Sequence, residues 1–540
     1  MLGLIIITVL GIIYRSVGIV KPEGLWNDEY VSWYIASQPL NDWLIDVIKT
    51  QCHMPFYYIY LKMCMALGGQ SDLLLRISSF IPGVLSIIVM YFVGLQKDKR
   101  TALLASGITA LSSFLIYYSQ EVRIYSILFL FSALSLLYFL KFIKNKNFTN
   151  LCGLILFDFM IMFTHTIGFV FLFFQLIGLT ILLFKEYKKQ LLWLWGSLTL
   201  LLALLAPHIY LILTTKSFSQ WWGSFSLSNI IFLFTDWFSP VLTNLVNAPD
   251  KILYIHSVSF IIFTFIPALI AIFFIGRALY KSKQNIVLAF VAAGVIITLA
   301  ITAMTGKLVF ITKYSIEIYP ILIFLFAAGI TNYENKYISR TIFTIFCVIN
   351  LWYLNLSPVS AQRMPRPQGH KLPAILLENG QIKDNDIILF EYYPAERFGK
   401  YIDLSKYNTY SIHKGNFYSY ITPNTTYDNV YKDGKNIYKD QFIKNQSGYL
   451  EYNLQKDIVQ NMKQGQSLFL LINDSVALYP PEIVSGIAKD DFYYKKTPLM
   501  FMIFSYLKNQ SYSYLSKKLS VVRVEKLGDW SIVKFTKLNK

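Results

Sequence analysis

The sequence has little charge for its length and few cysteines. Charged residues make up 15% of its 540 residues, whereas hydrophobic residues make up 55% and aromatic residues 17%. This composition excludes an ordinary soluble globular protein, in which the apolar share is normally about half or less. All four cysteines precede residue 357, so no disulfide holds the rest of the chain together. Cys52 and Cys64 lie in one predicted outer loop, where a disulfide and two free thiols both stay open.

Acidic residues are the minority among the charges. The sequence has 49 Lys and Arg against 31 Asp and Glu, a formal net charge of +18. A nucleic-acid-binding protein would show a basic stripe or a recognised motif, and this sequence shows neither. Its Lys and Arg instead collect in short loops between apolar runs, as in the cytoplasmic loops of membrane proteins. We therefore expect a membrane and no nucleic acid as partner.

Uncharged or nearly uncharged runs of about 18–25 residues can cross a bilayer as helices, and the sequence has about eleven. Every second short loop between them is basic, which places these loops and the N-terminus in the cytoplasm and the C-terminus outside. The predicted spans cover residues 2–20, 73–95, 101–118, 124–142, 151–166, 167–184, 191–213, 256–279, 285–304, 308–330 and 340–356.

Two domains are predicted, a membrane domain over residues 1–356 and an extracytoplasmic soluble domain over residues 357–540. Within the first, residues 21–72 and 214–255 form large outer loops, and aromatic stretches such as "PFYYIYLKMCMAL" predict interfacial helices in residues 21–72. In the second, the apolar runs shorten to strand length in "NDIILFEYY", "QSLFLLIND" and "VVRVEKLGDWSIVKF". The sequence thus predicts a polytopic α-helical membrane protein with a C-terminal α/β domain.

Charged and polar side chains gather at the predicted outer face of the membrane. A charge inside a membrane helix costs about 2.5–3.5 kcal/mol on insertion scales, so it normally has a partner or a task. A carboxylate at this boundary can act as a base on a water-borne substrate while a lipid-borne one arrives from the side. The side chains concerned are Asp28, Glu29, His53, Glu121, Arg123 and His165, together with Lys313 and Glu317 inside the predicted span 308–330.

Several motifs in this set resemble those of bacterial family 39 glycosyltransferases of the GT-C fold. These enzymes are relatives of protein O-mannosyltransferases and aminoarabinose lipid A transferases. The resemblance extends over about residues 1–330. The motifs are W-x-D-E from Trp26, H-x-P-x-Y-Y from His53, Y-S-Q-E-x-R-x-Y through Tyr125, T-H-T-x-G around His165, K-Y-S-x-x-x-Y-P from Lys313, and Arg76 at the start of the second span.

The resemblance implies transfer of one sugar, with inversion, from a polyprenyl-phosphate donor to a lipid, glycan or protein acceptor. The reaction would take place at the outer face of the bacterial inner membrane. Asp28 matches the family's catalytic base, and Glu29 would orient it or the acceptor. Lys313, Arg123 and Tyr314 would bind the donor phosphate. His53 matches a position that holds a divalent metal ion in some relatives. Pocket positions would be Trp26, Tyr57, Glu121, Tyr125 and His165.

Other interpretations of these residues stay open. Glu121 with Arg123 could be a structural ion pair, His53 a helix cap, and Lys313 an interfacial anchor. Two departures from the family pattern also matter, since "HMP" replaces the commoner His-Pro-Pro and Lys313 replaces an arginine. A transporter or flippase for lipid-linked sugars is the alternative function, although we find no internal repeat. A membrane scaffold is a further alternative if the outer carboxylates prove dispensable.

Overall fold

The computed structural model describes residues 1–39, 54–185, 187–214, 227–239, 258–280, 282–304, 310–333, 335–356, 369–390, 398–411, 451–452, 454–473, 511–527 and 530–537. The chain divides into two compact units. The membrane unit comprises Met1–Val20, Val31–Ser219 and Phe225–Met364, and the C-terminal unit includes Lys21–Tyr30 and Pro365–Lys540. The domain boundary predicted at residue 357 lies outside the described residues and stays a prediction.

Helices build the described part of the membrane unit, and α2 begins in the short N-terminal segment of the other unit. They are α1 Leu2–Ser16, α2 Asn27–Ser37, α3 Phe56–Gly68, α4 Asp72–Leu95, α5 Lys99–Leu111, α6 Ser113–Tyr118, α7 Tyr125–Lys144, α8 Phe148–Thr164, α9 Gly168–Leu183, α10 Lys188–Thr214, α11 Leu227–Phe238, α12 Val258–Leu279, α13 Lys283–Met304, α14 Tyr319–Thr331 and α15 Lys336–Leu356.

Within the described residues, five helices are long and apolar enough to cross a membrane. The chain is therefore a multi-pass membrane protein, as its composition predicted. Helices also lie at the other predicted spans, but the apolar stretches found in them within the described residues are only 10–17 residues long, so the count of eleven stays a prediction. The five helices are Asp72–Leu95, Tyr125–Lys144, Lys188–Ala206, Lys283–Met304 and Thr312–Thr331.

The predicted span 101–118 is interrupted, which corrects the prediction of one continuous helix. α5 ends at Leu111, and α6 begins at Ser113. Between them Ser112 adopts an extended backbone, and its hydroxyl accepts a hydrogen bond from Leu115 N at 3.3 Å. A serine in this position satisfies a backbone N–H that the helix start would otherwise leave without a partner. The same hydroxyl lies 3.0 Å from the hydroxyl of Tyr319.

The predicted span 308–330 begins with a 3-10 helix, Thr312–Ile318, before α14 continues it. Pro320 lies in the first turn of α14, where its missing N–H costs no helical hydrogen bond. The predicted break in "FTHTIGF" is confirmed, because α8 ends at Thr164 and His165 is extended. Both interruptions carry side chains that the sequence assigned to the site.

α12 and α14 approach each other closely at Gly329. A Cβ atom added there would lie 1.8 Å from the carbonyl oxygen of Phe274. Glycine is therefore the residue that lets the two backbones touch, as small residues do between membrane helices. Gly276, also on α12, has no atom within 4 Å of an added Cβ.

The described part of the C-terminal unit contains a five-stranded mixed sheet in the order β2-β1-β3-β5-β4. Its strands are β1 Ile387–Phe390, β2 Asn408–Ser411, β3 Ser467–Asn473, β4 Leu519–Leu527 and β5 Trp530–Lys537. β1 is parallel to β2 and β3, whereas β5 is antiparallel to β3 and β4. All strands except β2 overlap the short apolar runs quoted from the sequence.

Both faces of this sheet are covered. Ile387 and Leu389 of β1 face one apolar cluster, while Ile388 and Phe390 face another that includes the helix α16, Lys371–Asn379. A central strand buried on both faces is apolar at every position, as β1 is. The unit is thus an α/β structure, and its outer location stays a prediction. Cys64 is a free thiol, and Cys52 lies outside the described residues.

Candidate active site

The predicted acidic pair lies in the first turn of α2. Glu29 is fully buried, and its Oε2 accepts a hydrogen bond from Trp26 N at 3.2 Å. A glutamate at the third helical position that reaches back to the preceding N–H is half of a capping box. Asp28, beside it, is partly exposed. Negative charge in a first turn is also favourable toward the helix dipole, so the helix start favours both carboxylates and holds that of Glu29 by a hydrogen bond.

Arg123 contacts α2 one helical turn after the acidic pair. Its Nη1 donates a hydrogen bond to Ser32 Oγ at 3.3 Å, and both side chains are buried. Residues four apart share a face of an α-helix, so Ser32 lies on the face of α2 that Asp28 occupies. Arg123 stands in the turn between α6 and α7, where its N–H donates to the carbonyl of Glu121 at 2.7 Å. Glu121 is also buried.

Two cations lie over one aromatic ring. Arg123 Cζ is 6.0 Å from the ring centroid of Tyr125, and Lys313 Nζ is 5.5 Å from the same centroid. Lys313 Nζ also lies 5.8 Å from the ring centroid of Tyr314. The turn before α7 and the 3-10 helix therefore bring together three of the residues that the sequence assigned to donor binding. A pair of cations on aromatic faces in a poorly hydrated place suits an anionic group.

His165 and Glu317 form a buried pair beside these cations. His165 Nδ1 lies 2.5 Å from Glu317 Oε1, and the His165 ring centroid is 6.1 Å from that of Tyr314. Glu317 is fully buried, and its second oxygen has no hydrogen-bond partner among the described residues. The sequence placed Glu317 in a span without giving it a role. The structure shows that it holds the α8–α9 turn against the 3-10 helix.

Asp236 is a site neighbour that the sequence analysis missed. It lies on α11, is buried, and its Oδ2 accepts a hydrogen bond from Thr312 Oγ1 at 2.7 Å. Thr312 immediately precedes Lys313, so Asp236 fixes the start of the segment that carries the lysine. The available signal was a single carboxylate in the apolar run "IIFLFTDWF". Assigning residues 214–255 to an outer loop hid it.

The remaining predicted site residues differ in how far the structure describes them. Tyr57 on α3 is buried, packs edge-on against Tyr58 at 5.7 Å, and lies close enough for Arg123 to act electrostatically on its hydroxyl. Trp26 precedes α2 and is half-buried. His53 lies outside the described residues. Within the described part, no group of three or more His, Cys, Asp or Glu could hold a metal ion, so a metal stays a prediction.

Comparison with known families supports the resemblance that the motifs suggested. Residues 52–211 match the sequence profile of a family described as dolichyl-phosphate-mannose-protein mannosyltransferase. This range includes Tyr57, Glu121, Arg123, Tyr125 and His165. Comparison with curated proteins gives no match.

Two solved structures of one protein, ArnT, share the fold of this chain. ArnT from Cupriavidus metallidurans in the apo state is 11% identical, with a TM-score of 0.58 over 99% of this chain and 97% of that chain. The same protein bound to undecaprenyl phosphate is 10% identical, with a TM-score of 0.54 over the same shares. The oligosaccharyltransferase of Archaeoglobus fulgidus with Zn and sulfate is 12% identical, with a TM-score of 0.48 over 88% of this chain and 68% of that one. Together with the family profile, the ArnT fold confirms the resemblance to PMT-like glycosyltransferases of the GT-C fold.

Proposed function

We propose that the protein transfers a single sugar from a polyprenyl-phosphate donor to an acceptor on the extracytoplasmic face of the membrane, with inversion. One observation carries the proposal, the pair of cations formed by Arg123 and Lys313 over the ring of Tyr125. Both cations belong to segments that join apolar helices, where the phosphate of a lipid carrier would arrive from the bilayer. The PMT-like profile over residues 52–211 supports the same chemistry.

In this proposal Asp28 is the general base. Its carboxylate takes the proton from the acceptor hydroxyl while that oxygen forms a bond to the anomeric carbon of the sugar. The bond between this carbon and the phosphate oxygen breaks on the opposite face, which inverts the anomeric centre. The prenyl phosphate leaves with the bonding electrons, and Asp28 later gives its proton to water. Glu29 keeps Asp28 in place by closing the start of α2.

Arg123 and Lys313 bind the phosphate and stabilise the negative charge that grows on it as the sugar departs. Tyr314 completes this part of the site. Trp26, Tyr57, Glu121, Tyr125 and His165 line the pocket for donor and acceptor. His53 remains the candidate ligand of a divalent ion near the donor phosphate, and no step above depends on that ion.

Transport of a lipid-linked sugar is a second candidate, and one observation favours it. Asp158 on α8 is buried within the apolar helices, and Ser135 Oγ donates to its Oδ1 at 2.6 Å. The side-chain amide of Gln175 on α9 lies 2.9 Å from the same hydroxyl. An ionisable group inside a membrane domain often marks a transport path. The network also binds three helices together, which is a sufficient structural reason for it.

The test compares the envelope of cells with and without the gene by mass spectrometry of glycans, lipids and proteins. Transfer predicts a product that differs by the mass of one sugar residue and that disappears on deletion. Complementation with Asp28→Asn should lower this product by about 10²–10⁴-fold, because the base is lost while side-chain size is kept. Asp384→Asn, the same change at an exposed carboxylate of the C-terminal unit, should restore it fully.

Two results would contradict the proposal. An unchanged envelope after deletion of the gene would contradict the proposed transfer activity. A near-normal amount of product with Asp28→Asn would contradict the proposed role of Asp28 as the base. Asp158→Asn separates the second candidate, since transport through that carboxylate predicts loss of the product and transfer predicts its retention.

A further inference from the structure

The C-terminal unit holds the short segment that precedes the acidic pair. His370 N donates a hydrogen bond to the carbonyl of Leu25 at 2.9 Å, and Lys371 N donates to the carbonyl of Glu23 at 3.0 Å. Leu25 N in turn donates to the hydroxyl of Tyr401 at 2.8 Å. Leu25 is fully buried, so these bonds replace water at its backbone. The last anchored residue lies three positions before Asp28.

Aromatic rings continue this connection into the sheet. The Tyr30 ring on α2 lies 5.0 Å from the ring centroid of His370, and His370 lies 5.2 Å from Phe398. Phe398 stacks on Phe390 of β1 at 4.5 Å. His370 is itself fully buried. The start of α2 is therefore connected to β1 through a series of ring contacts.

Two glycines permit the close approach. Gly24 has φ +77°, and an added Cβ would lie 2.6 Å from Lys371 Cβ and 2.8 Å from the Tyr401 hydroxyl. An added Cβ at Gly369 would lie 2.3 Å from the carbonyl oxygen of Glu23. A larger residue at either position would push the segment around Gly24 and the segment around Gly369 apart. The contact between residues 23–25 and residues 369–371 thus depends on the absence of a side chain at both Gly24 and Gly369.

We infer that Tyr401 and His370 are positioning residues for the acidic pair. They do not touch the reacting atoms. They fix Leu25 and Tyr30, the residues on either side of Asp28 and Glu29, and so set where the carboxylate of Asp28 points. All of these contacts lie within the unit that contains Lys21–Tyr30 and Pro365–Lys540. This inference rests on the proposed role of Asp28 as the base.

The test replaces Tyr401 by Phe in the full-length protein, which removes the hydroxyl and keeps the ring. We expect the single-sugar product in complemented cells to fall by about five- to tenfold, the effect of one lost hydrogen bond of ordinary strength. Hydrogen exchange of the purified protein should become faster in peptides that cover residues 21–30. Exchange in β3, Ser467–Asn473, should stay unchanged, which shows that the unit remains folded. Binding of undecaprenyl phosphate, used as the probe, should also stay unchanged.

Tyr514→Phe is the matched control. The Tyr514 hydroxyl donates to Gln455 Oε1 at 2.7 Å within the same unit, so this variant loses a comparable hydrogen bond away from residues 21–30. It should keep full product and unchanged exchange in residues 21–30.

Each outcome separates the two proposals. Faster exchange in residues 21–30 with full product would overturn the positioning inference and leave the transfer function intact. Unchanged hydrogen exchange in residues 21–30 would show that the hydrogen bond from Leu25 N to the Tyr401 hydroxyl does not hold this segment, and it would overturn the inference. A normal product with Asp28→Asn would instead overturn the proposed base, whatever Tyr401→Phe does. Loss of undecaprenyl phosphate binding in Tyr401→Phe would show a general structural role and also overturn the inference.

Discussion

Lys313 and Arg123 are like charges that face the same tyrosine. The negative face of the Tyr125 ring offsets part of their repulsion, and an anion placed between them would offset more. In the proposed reaction, the phosphate of the donor would supply such an anion. A lysine offers this phosphate a point charge and not the two-pronged contact of an arginine, so Lys313 contributes charge and leaves geometry to Arg123.

Lys313→Ala tests this division of roles. We expect the affinity for undecaprenyl phosphate to fall by about 10- to 100-fold, since a hydrogen bond to a charged group contributes about 1.5–3 kcal/mol. The measurement is a binding titration of the purified protein in detergent. Lys99→Ala, which removes an exposed lysine at the start of α5, should bind normally. An unaltered affinity in Lys313→Ala would make this lysine an interfacial anchor.

Some residues of the candidate site belong to a recognisable sequence motif, and others do not. Arg123, Tyr125, Lys313 and Tyr314 stand in recognisable motifs, and the structure brings them together. Asp236 has no motif, because its function is to accept a hydrogen bond from Thr312, which is 76 positions away. Partners that meet only through the fold leave no pattern in the local sequence.

The interruptions of the helices also depend on distant partners, so the local sequence does not predict them. An apolar run predicts that a segment can cross the membrane, but it does not predict that the helix is continuous. The break at Ser112 is closed by its own cap and by the hydroxyl of Tyr319, 207 positions away. The 3-10 helix Thr312–Ile318 likewise depends on what surrounds it, since Asp236 and His165 bind two of its side chains.

The contact between α12 and α14 gives a prediction at this scale. Gly329→Ala would drive a methyl group into the backbone of Phe274, and overpacking of this kind costs about 1–3 kcal/mol. We expect a lower unfolding temperature of the detergent-solubilised protein. Gly276→Ala on the partner helix meets no atom, and the alanine should raise stability by about 0.5–1 kcal/mol through helix propensity. Equal unfolding temperatures of the two variants would contradict the close approach of the helices.

For the molecule as a whole, the basic loops set the expected orientation in the membrane. Lys97 in one such loop has a second function, since its Nζ donates to the carbonyl of Ala328 at 2.8 Å and to Thr331 Oγ1 at 2.7 Å. A lysine at the C-terminal end of α14 satisfies carbonyls that the helix leaves without partners. Lys97 therefore contributes to the predicted orientation of its loop and also caps the C-terminal end of α14.

Cysteine labelling tests this orientation. In a background with the natural cysteines replaced by serine, Asp384→Cys should react with a membrane-impermeant maleimide on intact spheroplasts. Lys99→Cys should react only after lysis, because the positive-inside rule places its loop in the cytoplasm. Both positions are exposed in the structure, so access to the reagent decides the result. The reverse pattern would place Asp28 on the cytoplasmic side and remove the proposed site from the outer face.

The grouping of the chain into units is the feature least accessible to sequence. The position of residues 21–30 after the first predicted span predicts that they belong to an outer loop of the membrane domain. In the structure Lys21–Tyr30 cluster with the C-terminal unit. Glu23, Gly24 and Leu25 have no unusual composition, and their partners His370, Lys371 and Tyr401 follow more than 340 positions later, as the 376 positions from Leu25 to Tyr401 illustrate.

That separation has a consequence during biosynthesis. Leu25 leaves the ribosome 376 residues before the tyrosine that anchors it. At about 5–20 residues per second, the interval lasts on the order of 20–75 s. Throughout this time the newly inserted chain carries its acidic pair without the anchor. If positioning by Tyr401 is required, a nascent or prematurely terminated chain cannot consume the lipid-linked sugar, and only a fully translated protein gains that ability.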